Sequence, residues 1–397
     1  MGKVARSNDR DSMITAKAFY FLYYGAAASL IPFLVLYYEQ LGLTGRQIGT
    51  LTGLTPLITL FSAPIWGGAA DASKRHGRAL TLAIGGALAV VLLLSRVSTF
   101  VWLIPTMVAY AFFSAPIMPL VDNAVMGNLG NRKHEYGKQR LWGAVGWGLA
   151  APVVGELSER AGLTWIFYSY LALMFLALFV GRKLPLQAVS IKQPFWKSLH
   201  VLLRQRKLLL FLGTVFVGGA GLGLVSTYLF LFLEELGASK TLMGLSLTVA
   251  TISELPVLFF ADRLMVRWSA RGLLAFSLLA YVIRAFSYSV MGALWVVLLI
   301  QLLHGPSFSA MWTAGVAYAD RLAPLGMGAT TQGLFASVMI GLGSAAGNFF
   351  GGIFYDRVGA VVLFRIAASI VFAAFLVLVA SNRRATRLAS QQSSAGP

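Results

Sequence analysis

The sequence of 397 residues contains no cysteine, only four histidines and only 14 acidic residues. Without cysteine the chain has no disulfide framework, no thiolate metal site and no cysteine nucleophile. The HExxH, GxSxG and Walker motifs are also absent, so nothing supports catalysis or ATP hydrolysis. We therefore expect a protein that is not an enzyme and that uses no metal or organic cofactor.

Charge is scarce as well. Charged residues make up 12% of the chain, against about 25% in a soluble domain. Apolar residues reach 58% and come in blocks such as IGGALAVVLLLSR (83–95) and WIFYSYLALMFLALFV (165–180). Blocks of this length approach the roughly 20 residues that cross a hydrocarbon layer of about 30 Å. The sequence therefore predicts an all-α polytopic membrane protein with twelve transmembrane helices: 17–38, 46–70, 79–95, 100–127, 140–158, 164–181, 208–233, 241–261, 272–291, 293–318, 329–354 and 361–381.

The positive charges predict how these helices are oriented. The net charge is +18, and 24 of the 32 lysines and arginines fall on the side of the N-terminus. Five fall on the opposite side: Arg46, Arg96, Arg160, Lys240 and Arg357. An excess of basic residues marks the cytoplasmic side, so we expect a multi-pass protein of the inner or plasma membrane with both termini in the cytoplasm. The basic surface favours anionic lipid headgroups, and no polar domain suits nucleic acid.

Two segments half a chain apart resemble each other. EQLGLTGRQIG (39–49) aligns with EELGASKTLMG (234–244) at an offset of 195, which also places GWGLAA (146–151) on GLGSAA (341–346). With two more residues inserted, Arg160-Ala-Gly162 falls on Arg357-Val-Gly359. We infer a duplication with six-helix bundles at 1–181 (including an N-terminal tail) and 208–381, a basic cytoplasmic linker at 182–207 and a tail at 382–397. Parallel repeats of this kind bind solute near the midplane, where the halves meet.

The turn after the second predicted helix contains a short motif of glycine and charged residues. It contains Gly67, Asp71, Arg75 and Arg78, and the equivalent turn of the second half keeps Asp262-Arg263. This spacing resembles the loop motif of the major facilitator superfamily, and the arrangement of six plus six helices resembles that family over the whole chain. The resemblance implies a major facilitator fold in which these residues control conformation. The alternative is an ordinary basic cytoplasmic turn.

Five ionisable side chains lie well inside predicted spans, where a charge costs at least ~2.5–3.5 kcal/mol. They are Asp122, Arg140, Glu254, Arg284 and His304. One explanation is that they only join helices through buried ion pairs, although such pairs stabilise poorly once desolvation is counted. The other is that they line a solute cavity, which two acids, two arginines and one histidine would suit.

Arg140 and Trp147 are seven residues apart and so share a helix face, separated by a rise of ~10.5 Å. A guanidinium can bind two hydroxyls or a carboxylate, and an indole offers a flat apolar face to a sugar or an aromatic ring. Together with Asp122 they indicate a binding surface.

YGKQRLWGAVGWGLA (136–150) resembles the fifth-helix segment of the lactose permease group of oligosaccharide–proton symporters. Glu254 in TISELP, Arg284 in YVIRAFS and His304 in IQLLHG match that group's intramembrane residues. The resemblance implies that Asp122, Arg140, Trp147 and Glu254 bind solute. It implies that Glu254, Arg284 and His304 serve proton coupling.

The sequence departs from that group at Ser307, where the group keeps a glutamate three residues after the histidine. YGKQRLWG, SELP and LHGPSF resemble the phenylpropionate permease group equally well. The resemblance therefore leaves the solute and the proton path open. Aromatic residues can line the cavity, or can equally belong to the core or the interfacial belt: Tyr20, Tyr23, Tyr24, Phe308 and Trp312.

These features together predict a monomeric secondary active transporter that carries a small polar solute, with a proton as coupling ion, by alternating access. The pairing of Trp147 with Arg140 favours a sugar. The alternatives are an aromatic carboxylate–proton symporter, an exporter of drugs or lipids, and a membrane receptor or scaffold that keeps a transporter fold.

Overall fold

The computed structural model describes residues 2–185, 200, 202–324 and 327–394, and within these ranges regular secondary structure is helical throughout. In chain order the helices are α1 (Met13–Gln40), α2 (Gly45–Ser73), α3 (His76–Leu94), α4 (Phe100–Leu129), α5 (Tyr136–Ala161), α6 (Trp165–Gly181), α7 (Arg206–Glu235), α8 (Lys240–Phe259), α9 (Ala261–Ser289) and α10 (Val296–Leu322). A last run, Thr330–Ser381, is divided at Gly359, where φ is 72° and ψ is 172°, into α11 and α12.

The prediction of an all-α membrane protein is confirmed. In the described part of the chain, nine helical segments are long and apolar enough to cross a membrane, the last of which holds α11 and α12. The helix α6 is apolar but shorter, and α5 carries charged residues at both ends. The exact count of twelve spans stays a prediction.

Several helices extend beyond the predicted apolar blocks. Helical backbone begins at Gly2, before the apolar span of α1, and continues to Ser394, beyond that of α12. Residues 261–268 are also helical, up to a break at Ser269. Apolar patterning marks where a helix enters the membrane, whereas backbone hydrogen bonding continues through the polar residues beyond it. Most of the predicted linker, residues 186–199 and 201, lies outside the described residues.

The chain forms two compact units. The first comprises Met1–Gln193, Ser226–Thr251 and Asn348–Asp356, and the second comprises Pro194–Val225, Ile252–Gly347 and Arg357–Pro397. In the first unit α1 packs against α5 and α6, and α4 packs against α2 and α3. In the second unit α9 and α11 pack against α10. The predicted domain boundaries at 181 and 208 stay a prediction.

Backbone torsion angles at matching glycines are similar in the two halves of the chain. Gly42 and Gly237, at the offset of 195, have φ values of 76° and 78°, and Gly162 and Gly359 have φ values of 92° and 72°. Positive φ is costly for residues with a side chain. A turn in the same place of each repeat therefore explains why these glycines match.

The contacts correct one part of the predicted alignment. A Cβ on Gly146 would lie 2.2 Å from the carbonyl oxygen of Phe21, and a Cβ on Gly343 would lie 2.7 Å from that of Phe216. Phe21 and Phe216 are 195 residues apart, so the partner of Gly146 is Gly343 rather than Gly341. The π-helical stretch Ser337–Gly343 has wider turns that accommodate extra residues, and the offset beyond it is 197.

Candidate functional site

An ion pair between α4 and α5 forms the polar centre of the first unit. Nη1 of Arg140 lies 2.8 Å from Oδ2 of Asp122, and the two side chains are 45% and 27% exposed. Tyr20 donates its hydroxyl to Oδ1 of the same carboxylate at 2.7 Å. The guanidinium donates to the hydroxyls of Tyr136 and Tyr24, at 2.9 Å each. The first cluster is therefore a carboxylate and a guanidinium surrounded by three tyrosines.

Close packing of α1 on α5 brings the tyrosines to this place. A Cβ on Gly143 would lie 2.4 Å from Cδ2 of Tyr24, so glycine makes room for that ring. The guanidinium carbon of Arg140 lies 5.8 Å from the centre of the same ring, within the range of a cation–π contact. Tyr23 packs edge-on against Tyr24 and stacks on Phe19, and so belongs to the aromatic wall beside the cluster.

Trp147 lies two turns further along α5 and is half-buried. In the described residues it makes no hydrogen bond to the first cluster, and its role as a solute platform stays a prediction. Tyr136 is a member that the sequence interpretation missed, although its position four residues before Arg140 places the two on one helix face.

A second polar cluster, in the second unit, joins α8 to α10. Nε2 of His304 lies 3.3 Å from Oε1 of Glu254, and Ser309 donates to Oε2 at 2.9 Å. The two helices approach closely at Gly305, where a Cβ would lie 1.9 Å from the carbonyl oxygen of Ser253. Ser253 also accepts the N–H of Gly305 at 2.8 Å, which fixes His304 opposite Glu254.

The irregular turn of α10 presents these groups. Residues Gly305–Ser309 are π-helical, as expected where Pro306 removes a backbone donor. Phe308 stacks on the ring of His304, with centroids 5.4 Å apart, while Trp312 packs against Phe335. Phe308 therefore supports the second cluster, and the contact of Trp312 is with an aromatic neighbour in α11.

The other nitrogen of His304 indicates which tautomer fits. Its Nδ1 is buried and has no hydrogen-bond partner in the described part of the chain. A buried N–H without an acceptor is costly, whereas an unprotonated ring nitrogen is tolerated more easily. A ring with its proton on Nε2, donated to Oε1 of Glu254, satisfies both partners.

Arg284 is only 3% exposed and lies beside this cluster in α9. Its guanidinium donates to Oε1 of Gln301 at 2.8 Å and to the hydroxyls of Tyr288 and Ser307, at 3.1 and 3.5 Å. No carboxylate forms an ion pair with it in the described residues. The sequence interpretation grouped Arg284 with Glu254 and His304 for proton coupling. The structure instead places the neutral Gln301 and Ser307 on the guanidinium, and His304 on Glu254.

Asp71 and its neighbours occupy the turn between α2 and α3. Oδ1 of Asp71 lies 2.8 Å from Nε2 of His76, which is buried. Lys74 follows the end of α2 with φ at 52°, Arg75 precedes α3, and a Cβ on Gly67 would meet nothing within 4 Å. Neither Arg75 nor Arg78 forms an ion pair within the described residues. The conformational role of Gly67, Asp71, Arg75 and Arg78 stays a prediction.

The prediction that Asp122, Arg140, Trp147 and Glu254 line one cavity also stays a prediction, since the first and second clusters belong to different compact units. Each cluster taken alone is a set of ionisable and hydroxyl groups, with Asp122, Glu254 and His304 inside segments long and apolar enough to cross a membrane. Such sets mark solute and ion pathways. The fold and these clusters define a membrane-embedded transporter of small molecules.

The chain belongs to the MFS_1 like family of major facilitator superfamily transporters, whose profile matches residues 13–366. It is 31% identical over 371 residues to the maltose permease of Geobacillus stearothermophilus, covering 92% of this chain and 94% of the permease. It is 25% identical over 358 residues to a probable 3-phenylpropionic acid transporter of Escherichia coli (strain K12), covering 86% of this chain and 90% of that one.

Solved structures agree on the fold. The crystal structure of the nucleoside transporter NupG matches with a TM-score of 0.83 at 16% identity, covering 93% of this chain and 98% of that chain. The resemblances to a major facilitator fold and to permeases are thus confirmed, and the protein is a transporter rather than an enzyme.

Proposed function

We propose that this transporter is a proton-coupled symporter that imports a small polar solute, with a sugar favoured, by alternating access. The observation that carries the proposal is the first cluster, Asp122 and Arg140 with the hydroxyls of Tyr20, Tyr24 and Tyr136. Its donors and acceptors stand beside aromatic faces, and a sugar offers hydroxyls and an apolar ring face to match.

Proton coupling is proposed for the second cluster. Glu254 has a histidine and a serine as its partners, and a change in the surroundings of a buried carboxyl group can change its protonation. Moving one proton inward gains ~2.3 kcal/mol per 100 mV of membrane potential, which is enough to drive uphill solute uptake. The relation to a maltose permease supports the choice of a sugar.

A second candidate function is symport of an aromatic carboxylate. Arg284 supports it, because this buried guanidinium has only neutral hydrogen-bond partners in the described residues and could neutralise an anion. The relation to a probable 3-phenylpropionic acid transporter supports it too.

The proposal includes the placement of the protein. We infer a monomer in the inner or plasma membrane with both termini in the cytoplasm, because basic residues concentrate on the side of the N-terminus. Anionic lipids would surround that side.

Purified protein in liposomes, with a pH dye outside, tests the function. Maltose, sucrose, uridine and 3-phenylpropionate would be added in turn without any other ion gradient. We expect a sugar to cause external alkalinisation that a protonophore abolishes. Alkalinisation with 3-phenylpropionate alone would favour the second candidate. Proton movement in the opposite direction with apolar dyes would indicate an exporter, and binding without any flux would indicate a receptor.

A further inference from the structure

Two carboxylates cap the N-termini of helices from the opposite repeat. Oδ1 of Asp356, in α11, accepts the backbone N–H of Gly45 at 2.6 Å, and Oδ2 accepts that of Arg46 at 2.8 Å. Oε2 of Glu159, in α5, accepts the backbone N–H of Lys240 at 2.7 Å. The first N–H groups of a helix have no partner within the helix and carry partial positive charge, so a carboxylate binds them well. We call these contacts the α2 cap and the α8 cap.

The two caps are equivalent in the duplicated sequence. Gly45 and Lys240 are related by the offset of 195, and Glu159 and Asp356 by the offset of 197 that aligns Arg160-Ala-Gly162 with Arg357-Val-Gly359. In each case the carboxylate comes from one repeat and the helix N-terminus from the other. All residues of both caps belong to the first compact unit. One device therefore occurs twice.

The backbones beside the caps touch in the same symmetric way. A Cβ on Gly352 would lie 2.2 Å from the carbonyl oxygen of Gly45, and a Cβ on Gly155 would lie 2.3 Å from that of Lys240. One turn further, a Cβ on Gly49 would lie 2.4 Å from the carbonyl oxygen of Asn348. In the counterpart of that contact, a Cβ on Gly244 would lie 2.4 Å from the carbonyl oxygen of Ala151. Contacts this close leave no room for a solute between these helices.

Polar side chains surround each cap. Thr241 donates to Oε2 of Glu156 at 2.6 Å beside the α8 cap, and Tyr228 donates to the carbonyl oxygen of Asn348 at 2.7 Å beside the α2 cap. The side chain of Glu159 is 43% exposed, so water can replace its partner when the cap opens. A hydrated carboxylate and a hydrated helix end lose little, which makes such a contact reversible.

We propose that Glu159 and Asp356 are paired positioning residues of the transport cycle. Each holds a helix of one repeat against the other repeat, at the end of the spans away from the N-terminus. Both caps must open before a solute can enter or leave at that end. The proposal rests on alternating access, which is part of the proposed function, but it is independent of the solute and of the coupling ion.

The natural absence of cysteine allows a direct test of access. Thr248→Cys places a single thiol on α8, two turns below the α8 cap, where Thr248 donates to the carbonyl oxygen of Gly148 at 2.6 Å. Its rate of reaction with a membrane-impermeant maleimide is measured with the reagent on each side of oriented vesicles in turn. No solute or proton gradient is present, so failure of the symport proposal does not affect the result.

In the Thr248→Cys background we expect Asp356→Asn and Glu159→Gln each to raise the labelling rate from the side away from the N-terminus. Together they should raise it further, at least about fivefold over the parent. The exchange Glu159→Asp with Asp356→Glu keeps both carboxylates and should label nearly as slowly as the parent. Asp320→Asn, which removes an acid that caps no helix of the other repeat, is the matched control.

If the double variant elutes as folded protein from gel filtration and its labelling rate is unchanged, the proposal is wrong. An equal increase in Asp320→Asn would do the same, because it would show a general loosening. If the double variant does not fold, the two single variants decide by the same criterion.

Discussion

Glu254 is the residue on which proton coupling is expected to depend. Replacing it with glutamine keeps the hydrogen bond from Ser309 possible but removes the carboxyl group that we propose gains and loses a proton. We therefore expect Glu254→Gln to abolish uphill accumulation while counterflow, which needs no net proton movement, continues. The measurement is solute-driven alkalinisation beside counterflow in the same liposomes.

Asp122→Asn is the control for that experiment. Oδ2 of Asp122 lies 2.8 Å from Nη1 of Arg140 in the first cluster, away from Glu254, so the change should weaken solute affinity and leave coupling intact. Continued proton uptake by Glu254→Gln would show that the assignment is wrong. Asp122 or a sodium ion would then take the role.

Arg140 is expected to bind solute through the shape of its guanidinium. It reaches Asp122, Tyr24 and Tyr136 at once, which the single ammonium of lysine cannot do with the same geometry. Losing one charge-assisted hydrogen bond costs ~1.5–3 kcal/mol, so Arg140→Lys should weaken affinity by about tenfold or more. Equilibrium titration measures this, with Lys138→Arg, two residues away on the same helix, as the control. Equal affinities in the two variants would contradict the assignment.

At this scale the sequence identified charged groups better than their partners. An acid or arginine inside an apolar run stands out, and Asp122, Arg140, Glu254, Arg284 and His304 were found in that way. Gln301 and Ser309 do not stand out, because serine and glutamine are common and carry no charge. Only the fold, with the π-helical turn after His304, brings Ser309 to Glu254 and Gln301 to Arg284.

Among the helices, the contact of α8 with α10 is expected to tolerate no side chain at Gly305. A Cβ there would lie 1.9 Å from the carbonyl oxygen of Ser253, and that oxygen belongs to the backbone. Overpacking of this kind costs ~1–3 kcal/mol and would move His304 away from Glu254. We expect Gly305→Ala to lower the thermal unfolding temperature and to impair proton uptake.

Gly213→Ala is the matched control, since nothing lies within 4 Å of a Cβ at that helical position. There alanine should be neutral or slightly stabilising, because it favours helix more than glycine does. Equal unfolding temperatures in the two variants would show that α8 and α10 can separate freely.

At the scale of elements the sequence predicted where spans lie, but it did not predict irregularities within them. Apolar runs and Pro/Gly punctuation identified the spans, since burial in lipid imposes a strong compositional signal. The π-helical stretch Ser337–Gly343 carries no such signal, and it shifts the repeat by two residues within one helix. For that reason the sequence paired Gly146 with Gly341, where the contacts give Gly343.

For the whole molecule, the duplication was the feature most readily predicted. The matching strings EQLG and EELG include Gly42 and Gly237, and both glycines adopt positive φ in the structure. The limits of the compact units could not be predicted, because contacts such as those of Asp356 with α2 join distant parts of the chain. Apolar patterning reports burial and contains no information about which repeat supplies the partner.

Asp71 is expected to control the conformation of the whole transporter rather than its affinity. It lies in the turn between α2 and α3, paired with the buried His76, and the first cluster lies elsewhere, among α1, α4 and α5. Asp71→Asn should therefore slow transport severalfold, while equilibrium titration gives a nearly unchanged solute affinity. His76→Ala removes the ring nitrogen that contacts Asp71 and should slow transport in the same way, which ties the effect to this contact. If either variant loses solute binding while the transport rate per bound solute stays intact, Asp71 acts on binding and the motif has another role.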